Sequence, residues 1–187
     1  MPSPEWVIER GIGETRCVLI EDEHIVEARV LPLGMIAAGT VLEAQLKSPG
    51  RNAIATAGSQ EYLLPGGAPG VTEGAALNIE VTREALGASE PWKRPVARMT
   101  NEAARAAHPP EGREVQFPSQ LEQLEAAGWS DLLDEARSGI ITFEGGELRV
   151  SVTPAMTLID VDGWLAPAEL AVAGAGAAAE VIRRHGV

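Results

Sequence analysis

Five short apolar segments separated by glycine- and proline-rich turns constrain the fold of this chain most strongly. Between Gly39 and Thr100 they read TVLEAQL, NAIATA, EYLLP, ALNIEVTRE and PVARMT, and the turns between them include PGR, PGGAPG and GASEPW. Each segment is long enough for one short strand, and each turn lets the chain reverse its direction. Five short strands of this kind predict a small closed β-barrel.

The sequence on either side of these segments predicts a mixed α/β fold. Residues 5–31 read as three strands in a meander. Residues 139–152 predict a hairpin that turns at a Gly-Gly pair, and the apolar strand MTLIDVD follows it. Pro167 then opens a predicted helix that runs to about His185.

The stretch between the barrel and the hairpin has weaker signals. Residues 101–118 contain alanine, proline and charged residues without periodicity, and they predict a linker. Ser119 followed by Glu122 is a capping-box pattern, which predicts the start of a helix. A second helical pattern begins at Ser130 and stops at Gly139.

The charge distribution limits the partners that the chain can bind. The formal net charge is −12, from 15 Lys and Arg against 27 Asp and Glu. This balance argues against a general nucleic-acid coat or a binder of anionic membranes. Residues 37–112 carry seven basic and eight acidic groups, whereas residues 113–187 carry five and twelve. A positive path for a ligand is therefore expected only in the middle of the chain.

Composition excludes several further classes of protein. The single cysteine, Cys17, rules out an internal disulfide and a multi-thiolate zinc site. We see no stretch of about twenty apolar residues that would span a bilayer, and no signal-peptide pattern at the N-terminus. We therefore expect a cytoplasmic protein without zinc and without a membrane partner.

The strand Leu158-Ile159-Asp160-Val161-Asp162 followed by Gly163 is the sharpest chemical feature. Two carboxylates spaced by two residues project from one face of a strand. In open α/β sheets ligands bind beyond the carboxyl ends of strands, where we expect this pair. Asp160 and Asp162 could together hold a magnesium ion, with manganese as the alternative.

Two other interpretations of this pair remain open. Asp162-Gly163 can be a turn signal, with Asp160 capping the next helix. The same string resembles the first motif of the haloacid-dehalogenase phosphatases, in which the first Asp is the nucleophile and the second the acid. In this resemblance Trp164 stands where that family has Thr.

Three patches in the same order resemble the ribonuclease E/G family, especially its short, compact members. The first is EWVIERGIGETR at residues 5–16, which continues into the hairpin that follows. The second is NIEVTREA at 78–85, which resembles the last long strand of the family's inserted OB-type barrel. The third is AMTLIDVD at 155–162, which resembles its catalytic strand, Thr-x-Ile-Asp followed by a small apolar residue and Asn.

The resemblance implies a metal-dependent endoribonuclease that processes single-stranded RNA. The metal-binding Asp of the catalytic strand transfers to Asp160, and Asp162 stands where the family has Asn. The family's second metal-binding Asp lies on a strand after the helix, beyond Val187, and its zinc-binding cysteines have no counterpart. A non-catalytic RNA-binding module, or a truncated enzyme, is therefore the alternative, and a homo-oligomer that supplies a missing ligand stays open.

RNA contacts are expected on the barrel. OB-type barrels hold single strands with a basic groove and aromatic side chains that stack on bases. Tyr62 and Trp92 are the aromatic candidates, and Lys93, Arg94 and Arg98 are the candidate phosphate contacts.

The sequence patterns and the resemblance together predict an α/β (α+β) fold with four parts. Residues 1–36 are expected to be the first strands of an RNase-H-like sheet, and residues 37–100 an inserted OB-type barrel. Residues 101–118 are the linker, and residues 119–187 complete the scaffold and begin a catalytic α/β layer.

Overall fold

The computed structural model describes residues 3–86, 90, 92–117, 121–153 and 156–186. It is a mixed α+β protein built mostly of strands. The strands are β1 (Glu5–Arg10), β2 (Glu14–Glu21), β3 (His24–Pro32), β4 (Val41–Ser48), β5 (Ala53–Ala57), β6 (Gln60–Leu64), β7 (Ala76–Arg83), β8 (Val96–Thr100), β9 (Arg113–Val115), β10 (Ile140–Phe143), β11 (Gly146–Val152) and β12 (Thr157–Gly163). The helices are α1 (Leu121–Ala126), α2 (Trp129–Ser138) and α3 (Pro167–His185). The capping residue expected at Ser119 lies outside the described residues. None of the described helices is long and apolar enough to cross a membrane.

The predicted closed barrel is confirmed. Its strand order is β4-β5-β6-β8-β7, and β7 pairs again with β4 to close it. All neighbours are antiparallel except β6 and β8, which pair in parallel at Leu63 and Val96. Alternating side chains fill the interior, including Leu46, Leu64 and Ile79, which are fully buried. This order is consistent with an OB-type barrel.

The barrel is inserted into a second compact unit. One unit is Gly34–Pro109, and the other combines Met1–Leu33 with Pro110–Val187. The stretch predicted as a linker at 101–118 differs from that expectation at both ends. Arg105 exchanges backbone hydrogen bonds of 2.9 and 3.0 Å with Val41, and residues 113–115 form β9, which pairs in parallel with β1.

Within the second unit, the first sheet has the order β3-β2-β1-β9. The turn between β2 and β3 places Asp22 and Glu23 at φ values of 47° and 67°, as tight two-residue hairpin turns require. One face of the sheet packs on α1 and α2 through Val18, Leu124 and Trp129.

The other sheet of this unit is antiparallel, with the order β10-β11-β12. The hairpin turns at Gly145, whose φ is 100°. Helix α3 begins at Pro167, as predicted, and packs Val181 on Ile141 and Leu148. Its Gly174 lies so close to the sheet that a Cβ there would be 2.6 Å from Cγ1 of Val161.

Candidate nucleic-acid interface and carboxylate face

The barrel places a group of cations where OB-type barrels bind their ligands. Such barrels use the face of the second and third strands and the loops that follow the first and fourth strands. Here these are β5 and β6, the loop at 49–52 and the loop at 84–95, which is described except for 87–89 and 91. The second loop is fixed at its end, because the amide of Leu63 donates a 2.9 Å hydrogen bond to the carbonyl of Pro95.

Glu61 on β6 ties two of these cations together. Its Oε2 accepts a 2.8 Å hydrogen bond from Nε of Arg94, and its Oε1 pairs with Nζ of Lys47. Hydrogen bonds from Lys47 and Arg94 hold the pKa of Glu61 below its ordinary value of 4.5. Two cations against one carboxylate leave this cluster with a net positive charge.

Two more cations lie on the same pair of loops. Arg51 is exposed in the loop at 49–52 and forms no ion pair within the described part of the chain. Lys93 lies in the loop at 84–95 and pairs with Glu90 at 2.7 Å. Lys47 and Arg51 were not singled out from the sequence. Their position in and beside the first barrel loop, at the PGR turn, was the signal that could have found them.

The other predicted RNA contacts occupy three different environments. Trp92 is 67% exposed in the second loop, where it can stack on a base. Arg98 is on the outside of β8 and pairs with Glu80 of β7 at 2.6 Å. The prediction of Tyr62 as an aromatic RNA contact is corrected by its burial. Its side chain is only 1% exposed because the ring fills the barrel core beside Leu64. This burial raises the pKa of its hydroxyl. A buried ring has no face to offer to a base.

The barrel unit is electrically balanced, unlike the rest of the chain. Residues 34–109 contain seven basic and seven acidic residues, so the whole formal charge of −12 falls on the other unit. A group of basic side chains on a unit without net charge is compatible with an anionic ligand.

The Asp160 and Asp162 carboxylates lie on the outer face of β12. Ile159 and Val161 alternate with them and pack towards α3, so both Asp side chains are exposed on the opposite face. β12 is antiparallel to β11 and extends through Gly163. Both residues therefore lie within the strand and not beyond its end, which differs from the expected position at the edge of a parallel sheet.

A basic side chain shares this outer face. In the β11–β12 ladder Arg149 is opposite Asp160, and Glu147 is opposite Asp162. Nε and Nη2 of Arg149 donate hydrogen bonds of 2.9 and 2.7 Å to Oε1 of Glu147, and Nε is 3.9 Å from Oδ2 of Asp162. The hydrogen bond and charge of Glu147 raise the pKa of Arg149, and Asp162 and Asp160 add to this. Sequence reasoning missed Arg149, although the alternation in GELRV puts it on the same face as Glu147.

The donor chemistry of this face fits a hard divalent cation. Its ligands are carboxylate oxygens, and Mg²⁺ is usually held by one or two carboxylates together with water and phosphate oxygens. Among the described residues no group of three or more His, Cys, Asp or Glu side chains is arranged to enclose a metal. The described residues thus present these carboxylates on an open, exposed face, without an enclosing set of ligands.

No protein-family model matches the chain, and no curated protein matches it.

Proposed function

We propose that this protein binds single-stranded RNA on its barrel and cleaves it in the cytoplasm as a metal-dependent endoribonuclease that resembles ribonuclease E/G. The observation that carries the proposal is the set of cations and the exposed Trp92 on the ligand-binding strands and loops of an OB-type barrel. Lys93, Arg94 and Arg51 would contact phosphates, and Trp92 would stack on a base.

The order of the strands around the barrel supports the part of the proposal that concerns the ribonuclease E/G-like scaffold. The barrel is inserted after three antiparallel strands, and the chain then returns as β9, parallel to β1. We infer that this sheet is the RNase-H-like scaffold expected from the sequence, and that β12 with α3 begins the catalytic layer.

The carboxylates of β12 would supply the metal site. Asp160 and Asp162 would hold Mg²⁺, or Mn²⁺ in its place. The bound ion would supply Lewis-acid activation of water and charge neutralisation at the scissile phosphate. The chain's own contribution is to present both carboxylates on one exposed face of a strand that α3 supports from behind.

RNA binding is tested by fluorescence anisotropy with a labelled, unstructured RNA oligonucleotide in EDTA. The double variant Lys93→Ala/Arg94→Ala should weaken binding about tenfold or more, and the salt slope should fall by about 0.7 for each phosphate that the variant no longer neutralises. The control is Arg137→Ala/Arg183→Ala, which removes the same charge from two exposed helical positions of the other unit. An equal decrease in both variants, or none in either, would remove the barrel from the proposal.

A second function, a non-catalytic RNA-binding module, is favoured by one observation. Arg149 lies among the carboxylates of the outer face, and the described residues provide no third acidic ligand in an enclosing position. Such a module should bind RNA equally with and without Mg²⁺ and should leave it intact. The enzyme should cut it only when the metal is present.

A further inference from the structure

Two glycine-rich turns of the barrel unit, PGR at 49–51 and PGGAPG at 65–70, lie side by side. One turn precedes β5 and the other follows β6, so the pairing of Ala53 with Leu64 brings them together. They approach so closely that a Cβ on Gly67 would be 2.7 Å from the carbonyl oxygen of Gly50. The φ of Gly67 is 71°, so glycine is favoured there by conformation as well as by space.

A cavity of about 290 Å³, the glycine notch, opens between these two turns. The residues that line it are small, apolar or basic, and none of them is acidic: Gly50, Arg51, Gly66, Gly67, Ala68 and Pro69. The notch has room for a phosphate group with several water molecules, because one water occupies about 30 Å³ in the liquid.

The glycine notch carries hydrogen-bond donors that are not used within the described part of the chain. The amides of Gly50, Arg51 and Gly66 donate to no described residue, and the Arg51 side chain forms neither an ion pair nor a hydrogen bond there. The second turn is fixed by a different bond, from the amide of Gly67 to the carbonyl of Leu64 at 2.9 Å. The donors therefore lie on fixed turns whose own hydrogen bonds do not consume them.

We propose that the glycine notch binds one phosphate group of the RNA through Arg51 and backbone amides. The inference rests on the proposed function, since it adds a phosphate subsite to the RNA surface of the barrel. Arginine and backbone amides are common donors to phosphate oxygens, and glycine lets a phosphate approach the backbone closely. The end of β6 is roughly 10 Å from Glu61, at about 3.3 Å per residue, so RNA that lies along β6 would reach both Arg94 and the notch.

The test is an anisotropy titration in EDTA with an unstructured RNA that has a 5′-hydroxyl end and so offers only phosphodiesters. Two variants remove the subsite in different ways. Arg51→Gln removes the charge, whereas Gly66→Leu fills the notch without changing any charge, and a Cβ on Gly66 meets nothing within 4 Å. Each should weaken RNA binding about three- to tenfold and lower the salt slope by about 0.7, the value for one phosphate on a single strand.

Each variant has a matched control in the other unit. Arg183→Gln removes an exposed arginine that forms no ion pair within the described residues, and Gly176→Leu adds the same side chain at a helical glycine with open space around it. Both controls should keep the wild-type affinity and salt slope. Urea unfolding checks that Gly66→Leu is folded, and Arg51→Gln tests the subsite at an exposed position independently of that result.

The outcomes separate this inference from the proposed function. Wild-type affinity and salt slope in both Arg51→Gln and Gly66→Leu would overturn the subsite, while weaker binding by Lys93→Ala/Arg94→Ala would keep the proposed RNA surface. Wild-type RNA binding in all three variants would overturn both. A parallel phosphorus NMR titration with inorganic phosphate distinguishes the source of the phosphate. If Gly66→Leu lost inorganic phosphate binding but bound RNA normally, the assignment of the notch to RNA would be wrong.

Discussion

Arg94 donates a 2.8 Å hydrogen bond from Nε to Oε2 of Glu61, so a cation of the loop at 84–95 is held against the third strand of the barrel. The same carboxylate also holds Lys47. Glu61 thus positions two candidate phosphate contacts, and under the proposed function it would compete with RNA for them.

Glu61→Gln should strengthen RNA binding about three- to tenfold, because it releases Lys47 and Arg94 from their shared partner. Anisotropy titrations over a range of salt concentrations would measure this, and the salt slope should become steeper. Glu73→Gln is the control, because Glu73 is exposed in the barrel unit and forms no ion pair within the described residues. If Glu73→Gln gave the same gain, the effect would come from net charge and not from the release of these two cations.

The ion pairs of Glu61 with Lys47 and Arg94 also predict how RNA affinity depends on pH. A carboxyl whose pKa is lowered by folding keeps its ion pairs above its unfolded value and loses them as the pH falls through the folded value. Since the pKa of Glu61 is held below 4.5, the difference in RNA affinity between wild type and Glu61→Gln should stay constant from about pH 7.5 to 5.5 and shrink only below pH 4.5. A difference that already disappears near pH 6 would contradict the assignment to Glu61.

Trp92→Ala should weaken RNA binding by about 1–3 kcal/mol for the base that it stacks on, with little change in the free energy of unfolding. Tyr62→Leu is the contrasting variant, because it removes a ring that is buried in the barrel core. It should lower the free energy of unfolding and leave the RNA affinity of the folded protein unchanged. Weaker RNA binding by folded Tyr62→Leu, together with normal binding by Trp92→Ala, would reverse the assignment.

The sequence predicted the barrel better than it predicted which side chains face its interior. Turns and short apolar runs define five strands, but Tyr62, Leu63 and Leu64 are consecutive apolar residues without alternation. Such a run does not show which face is buried. The assembled barrel places Tyr62 inside. The antiparallel pairing of β4, β5 and β6 brings Lys47 next to Glu61.

Pairing between strands that are distant in the sequence explains the other differences between the sequence-based predictions and the structure. β9 has three residues and owes its place to backbone pairing with β1, more than a hundred residues earlier, so no local pattern reveals it. The position of Arg149 opposite Asp160 depends on the register of two strands. By contrast, helix α3 was predicted from Pro167 to His185, because a proline at its start and basic residues in its last turn are local signals.

Two glycines of α3 should respond in opposite ways to alanine. Gly176 has open space around it, so Gly176→Ala should stabilise the protein by about 0.5–1 kcal/mol through helix propensity. Gly174→Ala should destabilise it by about 1–3 kcal/mol, because the new methyl would overlap Val161 between Asp160 and Asp162. Urea unfolding measures both. Equal stabilisation by both variants would show that α3 does not pack this closely on β12.

The most direct test of the central claim is cleavage of an end-labelled, unstructured RNA by the wild-type chain, Asp160→Asn and Asp134→Asn, with Mg²⁺ and with EDTA. Asp134→Asn is the matched control, because its carboxylate is exposed on α2. We predict that the wild type and Asp134→Asn cut the RNA only with Mg²⁺, whereas Asp160→Asn binds it without cutting. Intact RNA with the wild type, or equal cleavage by Asp160→Asn, would contradict the account.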